Sequence, residues 1–343
     1  MSYAPHYQKH LDEVSRSFSF CIARLNSPLK EWVGLGYLLF RVLDTIEDAD
    51  WQNQILKNET FKKFEEALNS EKNEIHDSIW MTKFPESIPR VEKNLLENLP
   101  QLLEDLYELP EAVQTSFKSS LIMMSQGMQY FSNLEFKSRQ IELKTLKEVN
   151  QYCFFVAGLV GEFLTNLILP KLPPAAVNSE LYLNSFQFGI FLQKINLLKD
   201  QAQDESEGRF LVPDRKELLQ SLRENAAGAL NYILHLPLAE KEFRLFCSWS
   251  LFLGLTSLST IENSFLVKMA GKLPRRMTEM LISKIESMID NNQALIQFFN
   301  EKIKVLPIEN EIISDQKSVQ SSWLTNIYHG TLQASDLQKL GVI

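Results

Sequence analysis

Two stretches of this sequence end an apolar run with carboxylates four residues apart. In "YLLFRVLDTIED", residues 37–48, Tyr37, Arg41, Asp44 and Asp48 fall at offsets of 0, 4, 7 and 11. On a helix turning about 100° per residue they share a sector of about 60°. In "FLQKINLLKDQAQDESEGRFLVP", residues 191–213, Gln193, Asn196, Asp200 and Asp204 fall at offsets of 0, 3, 7 and 11, a sector of about 80°. The residues between them are mostly apolar, so each helix carries a polar stripe that must face water, a partner or a ligand. With 43 acids in the chain, one Asp-x-x-x-Asp is what chance supplies. Two of them on apolar helices are what a magnesium–diphosphate site requires. Mg2+ takes oxygen ligands, usually one or two carboxylates per ion, and completes its shell with water and substrate phosphates. Carboxylates from two facing helices would hold a diphosphate, and the metal would neutralise it as the C–O bond breaks.

The elements that position these stripes read as helices throughout. Glycine (12) and proline (13) are scarce in 343 residues, which implies long continuous elements, and no series of alternating strands is present. The fold class is all-α, a single large helical domain. The periodicity predicts helices near 30–50, 90–108, 111–133, 144–169, 178–204, 214–234, 239–262 and 274–303. "KFPESIPR" and "PKLPPAAV" are breaks between helices. The domain is expected over 1–305, with 306–343 an extension that wraps the surface or is partly ordered.

The net charge of −8 argues against nucleic acid, which needs a basic face. Three cysteines (Cys21, Cys153, Cys247) in apolar surroundings read as reduced core thiols of a cytoplasmic protein. The first residues have no signal-peptide core. "LFCSWSLFLGLTSLSTI", residues 245–261, is the nearest approach to a membrane span, but it is short and holds six Ser or Thr, so it reads as a buried core helix. A di-metal carboxylate bundle needs Glu-x-x-His pairs, and none of the five histidines has a glutamate three residues before it.

Four stretches together, "SRSFSF" (15–20), "YLLFRVLDTIED", "YCFFVAGLVGE" (152–162) and "FLQKINLLKDQAQDESEGRFLVP", resemble the squalene/phytoene synthase family, in the family's order. "VAGLVGE" and "FLQKIN" are similar to its squalene synthase branch. The resemblance spans about Ser15 to Lys272 and implies packed helices of the isoprenoid synthase type around a central cavity. It implies that Asp44, Glu47 and Asp48 form the first acidic motif and Asp200 and Asp204 the second, with Mg2+ as their metal. Tyr152 matches the tyrosine given an acid–base role in the first half-reaction. Arg16, Arg41 and Arg209 match arginines that contact diphosphate or the phosphates of NADPH, while Lys199 and Lys268 match further cofactor contacts. Tyr37, Gln193 and Asn196 match pocket-lining positions. Gly158 and Gly161 are expected to permit close helix packing.

The chemistry implied is condensation of two farnesyl diphosphates. One ionises, the other's double bond attacks the allylic cation, and proton loss gives presqualene diphosphate. A second ionisation, rearrangement and hydride delivery from NADPH give squalene. Such chemistry needs charge stabilisation at one end and a dry apolar wall at the other. The 22 phenylalanines offer that wall, although for any single one the core is the better reading. The sequence departs from the pattern at Gln203, where an acid is common, at Lys199, where arginine is frequent, and at Ala270, where arginine is expected. The last departure bears on the cofactor more than on the condensation. No membrane anchor of the eukaryotic type is seen, so a bacterial-type monomer, soluble or peripheral to a membrane, is expected. The rivals are a phytoene or dehydrosqualene type without reduction and a non-catalytic assembly factor, which would have lost aspartates.

Overall fold

Capping residues start the helices that matter most. Thr145 and Glu148 form a reciprocal capping box, and the Asn178 and Asp214 side chains accept the Leu181 and Glu217 N–H groups, satisfying donors that a helix start leaves unpaired. The computed structural model describes residues 5–70, 84–138, 140–267, 273–307 and 322–343. Of Pro5, His6, Arg16, Ser17, 136–138, Ser264 and 266–267 it describes the backbone alone. Contacts divide the chain into two compact units, 1–137 with 166–168, and 138–165 with 169–343.

The first unit holds α1 (Pro5–Val14), α2 (Arg16–Ile22), α3 (Leu29–Asp48), α4 (Gln54–Asn69), α5 (Arg90–Glu97), α6 (Leu99–Tyr107) and α7 (Glu111–Ser138). The expected helix over 90–108 is broken at Asn98 into α5 and α6. Leu38, Leu39, Val42, Leu43 and Ile46 of α3 are fully buried, so this helix is the spine of its unit, and its polar stripe is what remains at the surface.

The second unit runs β1 (Ile141–Glu142), α8 (Leu146–Cys153), a π turn (Phe154–Gly158), α9 (Leu159–Ile168) as far as Thr165, α10 (Ser179–Ser206), β2 (Arg209–Phe210), α11 (Arg215–His235), α12 (Lys241–Val267), α13 (Arg275–Glu286), α14 (Asn292–Lys302), α15 (Ser322–Ile327) and α16 (Ala334–Lys339). The helix expected over 144–169 thus contains a π turn, and the one expected over 274–303 is interrupted by a turn at 287–291. The short strands pair in parallel, Ile141 with Arg209. α10 packs on α11, α12 and the π turn. A Cβ at Gly161 would lie 1.9 Å from the Ser185 carbonyl oxygen, and one at Gly189 would lie 2.1 Å from that of Ala157. Only glycine lets these backbones come so close.

Two segments, Leu146–Lys171 and Lys241–Asn263, are long and apolar enough to cross a membrane, but 72% and 56% of their apolar windows are buried inside the fold. The span 245–261 is therefore core, with Trp249, Leu251, Phe252, Leu255 and Leu258 buried. Cys21, Cys153 and Cys247 are buried and form no disulfide. Of the extension, residues 308–321 lie outside the described residues, while 322–343 is folded against the second unit, with Leu324, Leu337, Leu340 and Val342 buried.

Candidate active site

In the first unit α3 presents its stripe as read from the helical spacing. Arg41 forks between two acids, donating from one nitrogen to Asp44 Oδ2 at 2.6 Å and from the other to Glu92 of α5. Both acids hold the guanidinium firmly in its charged form against the opposing effect of burial. The Tyr37 phenol shares a hydrogen bond with the Ser15 side chain, and burial raises its pKa. The Phe18 ring lies 5.5 Å from that of Tyr37. The "SRSF" segment and the α3 stripe are thus brought together. Asp44 is partly exposed and Asp48 exposed, whereas Glu47 is buried. The side chain of Arg16 lies outside the described residues.

In the second unit Tyr152 closes α8 and is buried. After α10 ends, Gly208 adopts a left-handed φ of 84° and turns the chain so that Arg209 runs back beside β1. There its guanidinium donates to Tyr152 Oη at 3.3 Å. A donor on a phenol oxygen supports charge on that oxygen, which is what an acid–base tyrosine needs. Along α10, Gln193 and Asp200 are half-buried, Asp204 is partly exposed and Asn196 exposed. Lys199 Nζ lies 3.0 Å from Asp200 Oδ2. Gln203 is exposed and donates to Glu207 at 3.0 Å, so the residue that replaces an acid here serves its own helix. Lys268, Ala270 and Lys272 lie outside the described residues.

Lys194 carries more than the sequence showed. It is buried in α10, donating to Ser221 Oγ at 2.9 Å and Asn225 Oδ1 at 2.7 Å on α11, and Asn225 in turn donates to Gln187. Burial pulls its pKa down to about 8, and burial pushes the neighbouring Cys153 thiol up to about 12. The partners of Lys194, and Glu92 as partner of Arg41, are distant in sequence, so no local spacing announces them.

The donor set suits a magnesium site. Asp44, Asp48, Asp200 and Asp204 are all hard oxygen donors with access to solvent, the ligand type Mg2+ prefers. Among the described residues no three of His, Cys, Asp and Glu converge as a ready-made metal cluster. Each helix offers a carboxylate pair, and an ion there would complete its shell from water and phosphate.

Apart from the two-residue strands β1 and β2 the regular elements of the described residues are helical, and the long apolar helices α3 and α10 end in carboxylate pairs. The family model described as squalene/phytoene synthase matches residues 11–225, and the chain belongs to that family. It is 31% identical over 217 residues to squalene synthase ERG9 of Candida albicans, covering 63% of this chain and 46% of that protein. Squalene synthase of Cyberlindnera jadinii is 34% identical over 209 residues, covering 59% and 44%. Squalene synthase of Rattus norvegicus is 30% identical over 205 residues, covering 60% and 45%. The matched region spans under half the length of these curated relatives. Among solved structures, that of TcSQS with the ligand BPH1237 superposes with a TM-score of 0.71 at 21% identity, covering 98% of this chain and 97% of that one. A dehydrosqualene synthase in complex with a ligand gives 0.56 at 16%, covering 83% and 95%. At these identities the structures speak for the fold alone.

Proposed function

We propose that this protein is a Mg2+-dependent prenyltransferase that joins two farnesyl diphosphates head to head through presqualene diphosphate, and that it reduces the product with NADPH to squalene. The observation that carries the reading is the Arg209–Tyr152 contact at 3.3 Å. It sets the residue that follows the second acidic stripe on the tyrosine expected to move a proton. Asp44, Glu47, Asp48, Asp200 and Asp204 would hold the metal, which when bound supplies charge neutralisation for a departing diphosphate. Arg41 and Lys199 stand beside these acids to take phosphate oxygens. Tyr152, with Arg209 on its oxygen, exchanges the proton lost as the cyclopropane closes. The apolar helices exclude water from the carbocation. Tyr37, Gln193 and Asn196 line the substrate's path, and Arg16, Arg41, Lys199 and Lys268 would serve the NADPH phosphates.

Ala270, at a position where arginine is expected, favours a second reading in which the condensation proceeds without reduction. Both are tested by giving the purified protein farnesyl diphosphate and Mg2+, with and without NADPH, and analysing extracts by mass spectrometry. Squalene formed only with NADPH supports the first reading. Presqualene diphosphate or dehydrosqualene in both cases moves the protein to the non-reductive branch. No condensation, with geranylgeranyl diphosphate also inert, refutes both and favours a non-catalytic role.

A further inference from the structure

The helix that carries Tyr152 is interrupted two residues later by the π turn Phe154–Gly158. Such turns are rare insertions in helices, and this one is held from two sides. On one side α10 presses its backbone onto the turn at Gly189, where a Cβ would lie 2.1 Å from the Ala157 oxygen. On the other side lies the segment 322–343. Trp323 packs on Phe155 with centroids 5.4 Å apart. The Tyr328 ring stands edge-on to both Phe154 and Phe186, at 5.1 and 5.8 Å, and those two rings are stacked at 4.9 Å.

The polar contacts of this segment fall on both flanks of the turn. Before it, Gln151 Nε2 donates to the Val342 carbonyl at 2.8 Å and Asn150 Nδ2 to that of Gly341 at 3.4 Å. After it, Glu162 Oε1 accepts the Thr331 N–H at 2.8 Å and the Tyr328 hydroxyl at 3.3 Å. The same hydroxyl accepts the Leu332 N–H at 3.1 Å. Glu162 is buried with 2% of its surface exposed, and no cation pairs with it among the described residues. A buried carboxylate without a cation is costly unless its hydrogen bonds are made; Tyr328 and Thr331 satisfy Oε1, while Oε2 is buried without a hydrogen bond, so the segment's two donors offset part of that cost. Tyr152 sits between the two clamped flanks.

We propose that segment 322–343 is a strap that positions the Tyr152 phenol, with Tyr328 and Glu162 as its positioning residues and the π turn as the part it holds. The inference rests on the reading of Tyr152 as the acid–base residue. Tyr328→Phe keeps the ring packing and removes only the hydroxyl that joins Glu162 to the Leu332 N–H. Glu162→Leu removes the carboxylate, while Glu162→Gln keeps an oxygen acceptor. The strap acts on geometry, so the disruptive variants should slow chemistry without weakening substrate binding.

The test uses the full chain with meta-fluorotyrosine placed at position 152 and read by fluorine NMR. Steady-state formation of presqualene diphosphate is measured in parallel on the unlabelled variants. Tyr328→Phe and Glu162→Leu are expected to shift or broaden the resonance and to lower kcat by about tenfold or more with KM unchanged, a part of the 10²- to 10⁴-fold that general acid–base catalysis supplies. Glu162→Gln is expected to retain the wild-type resonance and rate. A resonance unmoved in Tyr328→Phe overturns the strap, as does one that moves while kcat stays at the wild-type value. Should the wild-type protein condense nothing, the functional reading falls. The resonance then decides the strap by itself, a shift in Tyr328→Phe upholding it and an unmoved line overturning it.

Discussion

Lys194 offers a prediction whose size follows from its surroundings. Its amine is 1% exposed and held by two neutral oxygens, Ser221 Oγ and Asn225 Oδ1. Desolvation lowers its pKa from the ordinary 10.5 to about 8, against the raising effect of Cys153, Glu224 and Glu217. The Cys153 thiol, pushed up to about 12, stays protonated through this window. Between about pH 8 and pH 10.5 the unfolded chain therefore keeps a proton at this site that the folded chain has released. Folding stability must rise with pH across that window, and the gain is lost as pH falls through 8. At 1.36 kcal/mol per pH unit it amounts to about 3 kcal/mol. Lys194→Met removes this dependence and leaves Asn225 Oδ1 without its donor, which costs about 1–3 kcal/mol. Near neutral pH the relief of the buried charge and the orphaned acceptor nearly cancel. The variant should then match the wild type there and fall behind by about 3 kcal/mol above pH 10. Denaturant unfolding of both proteins at matched pH values measures the gap, and every other titration common to the two drops out. A gap that stays constant with pH would refute the argument that Lys194 is folded into a site that disfavours its charge.

Three further outcomes follow from the same geometry. Asp44→Asn should abolish diphosphate release with the helical circular dichroism unchanged, because an ion pair this exposed contributes at most about 1 kcal/mol to stability; near-normal turnover would sink the metal reading of α3. Gly189→Ala must push α10 away from the Ala157 carbonyl and should cost about 3 kcal/mol or more in denaturant unfolding, so an unchanged midpoint would show that the crossing has slack. Burial raises the Glu162 pKa, so the stability this group contributes is fully present below the unfolded glutamate value and is lost as pH rises through the folded one. Glu162→Gln should accordingly raise the melting temperature at pH 8 and leave it nearly unchanged at pH 4, and the reverse order would contradict the burial argument.

The spine helices were legible because their signals are local. The apolar runs of α3 and α10, their caps and their 3.6-residue stripes lie within one stretch of chain, and the acids end up with access to solvent as the angular arithmetic requires. The π turn was not legible. "FFVAG" carries no residue that breaks a helix before its glycine, and the extra residue per turn is stabilised by Gly189 and by segment 322–343, which are remote in sequence. α1, α2 and α4 escaped notice for a different reason: "PHYQKHLDEV" and "QILKNETFKKFEEALN" are mostly polar, and Phe61, Phe64 and Leu68 alone anchor most of the latter's buried face. Segment 322–343 has short apolar clusters at Trp323–Leu324 and Leu337–Leu340, too brief for periodicity to register, and only its partners Phe154, Phe155 and Glu162 give them a place.

The charges of the two stripes are mixed. Each carries a cation beside an aspartate, Arg41 on Asp44 and Lys199 on Asp200, so neither stripe is simply a patch of negative charge. A magnesium diphosphate is itself a mixed object, with cationic metal and anionic oxygens a few ångströms apart. A surface of carboxylates alone would bind the metal and repel the phosphates, whereas alternating charge offers each part its partner. The two cations are not equivalent. Arg41 is fixed by a fork between α3 and α5, with Glu92 as its second partner beside Asp44. Lys199 is exposed and pairs with Asp200 of its own helix at 3.0 Å, with no second ion pair among the described residues. The first stripe is therefore preorganised and the second adaptive.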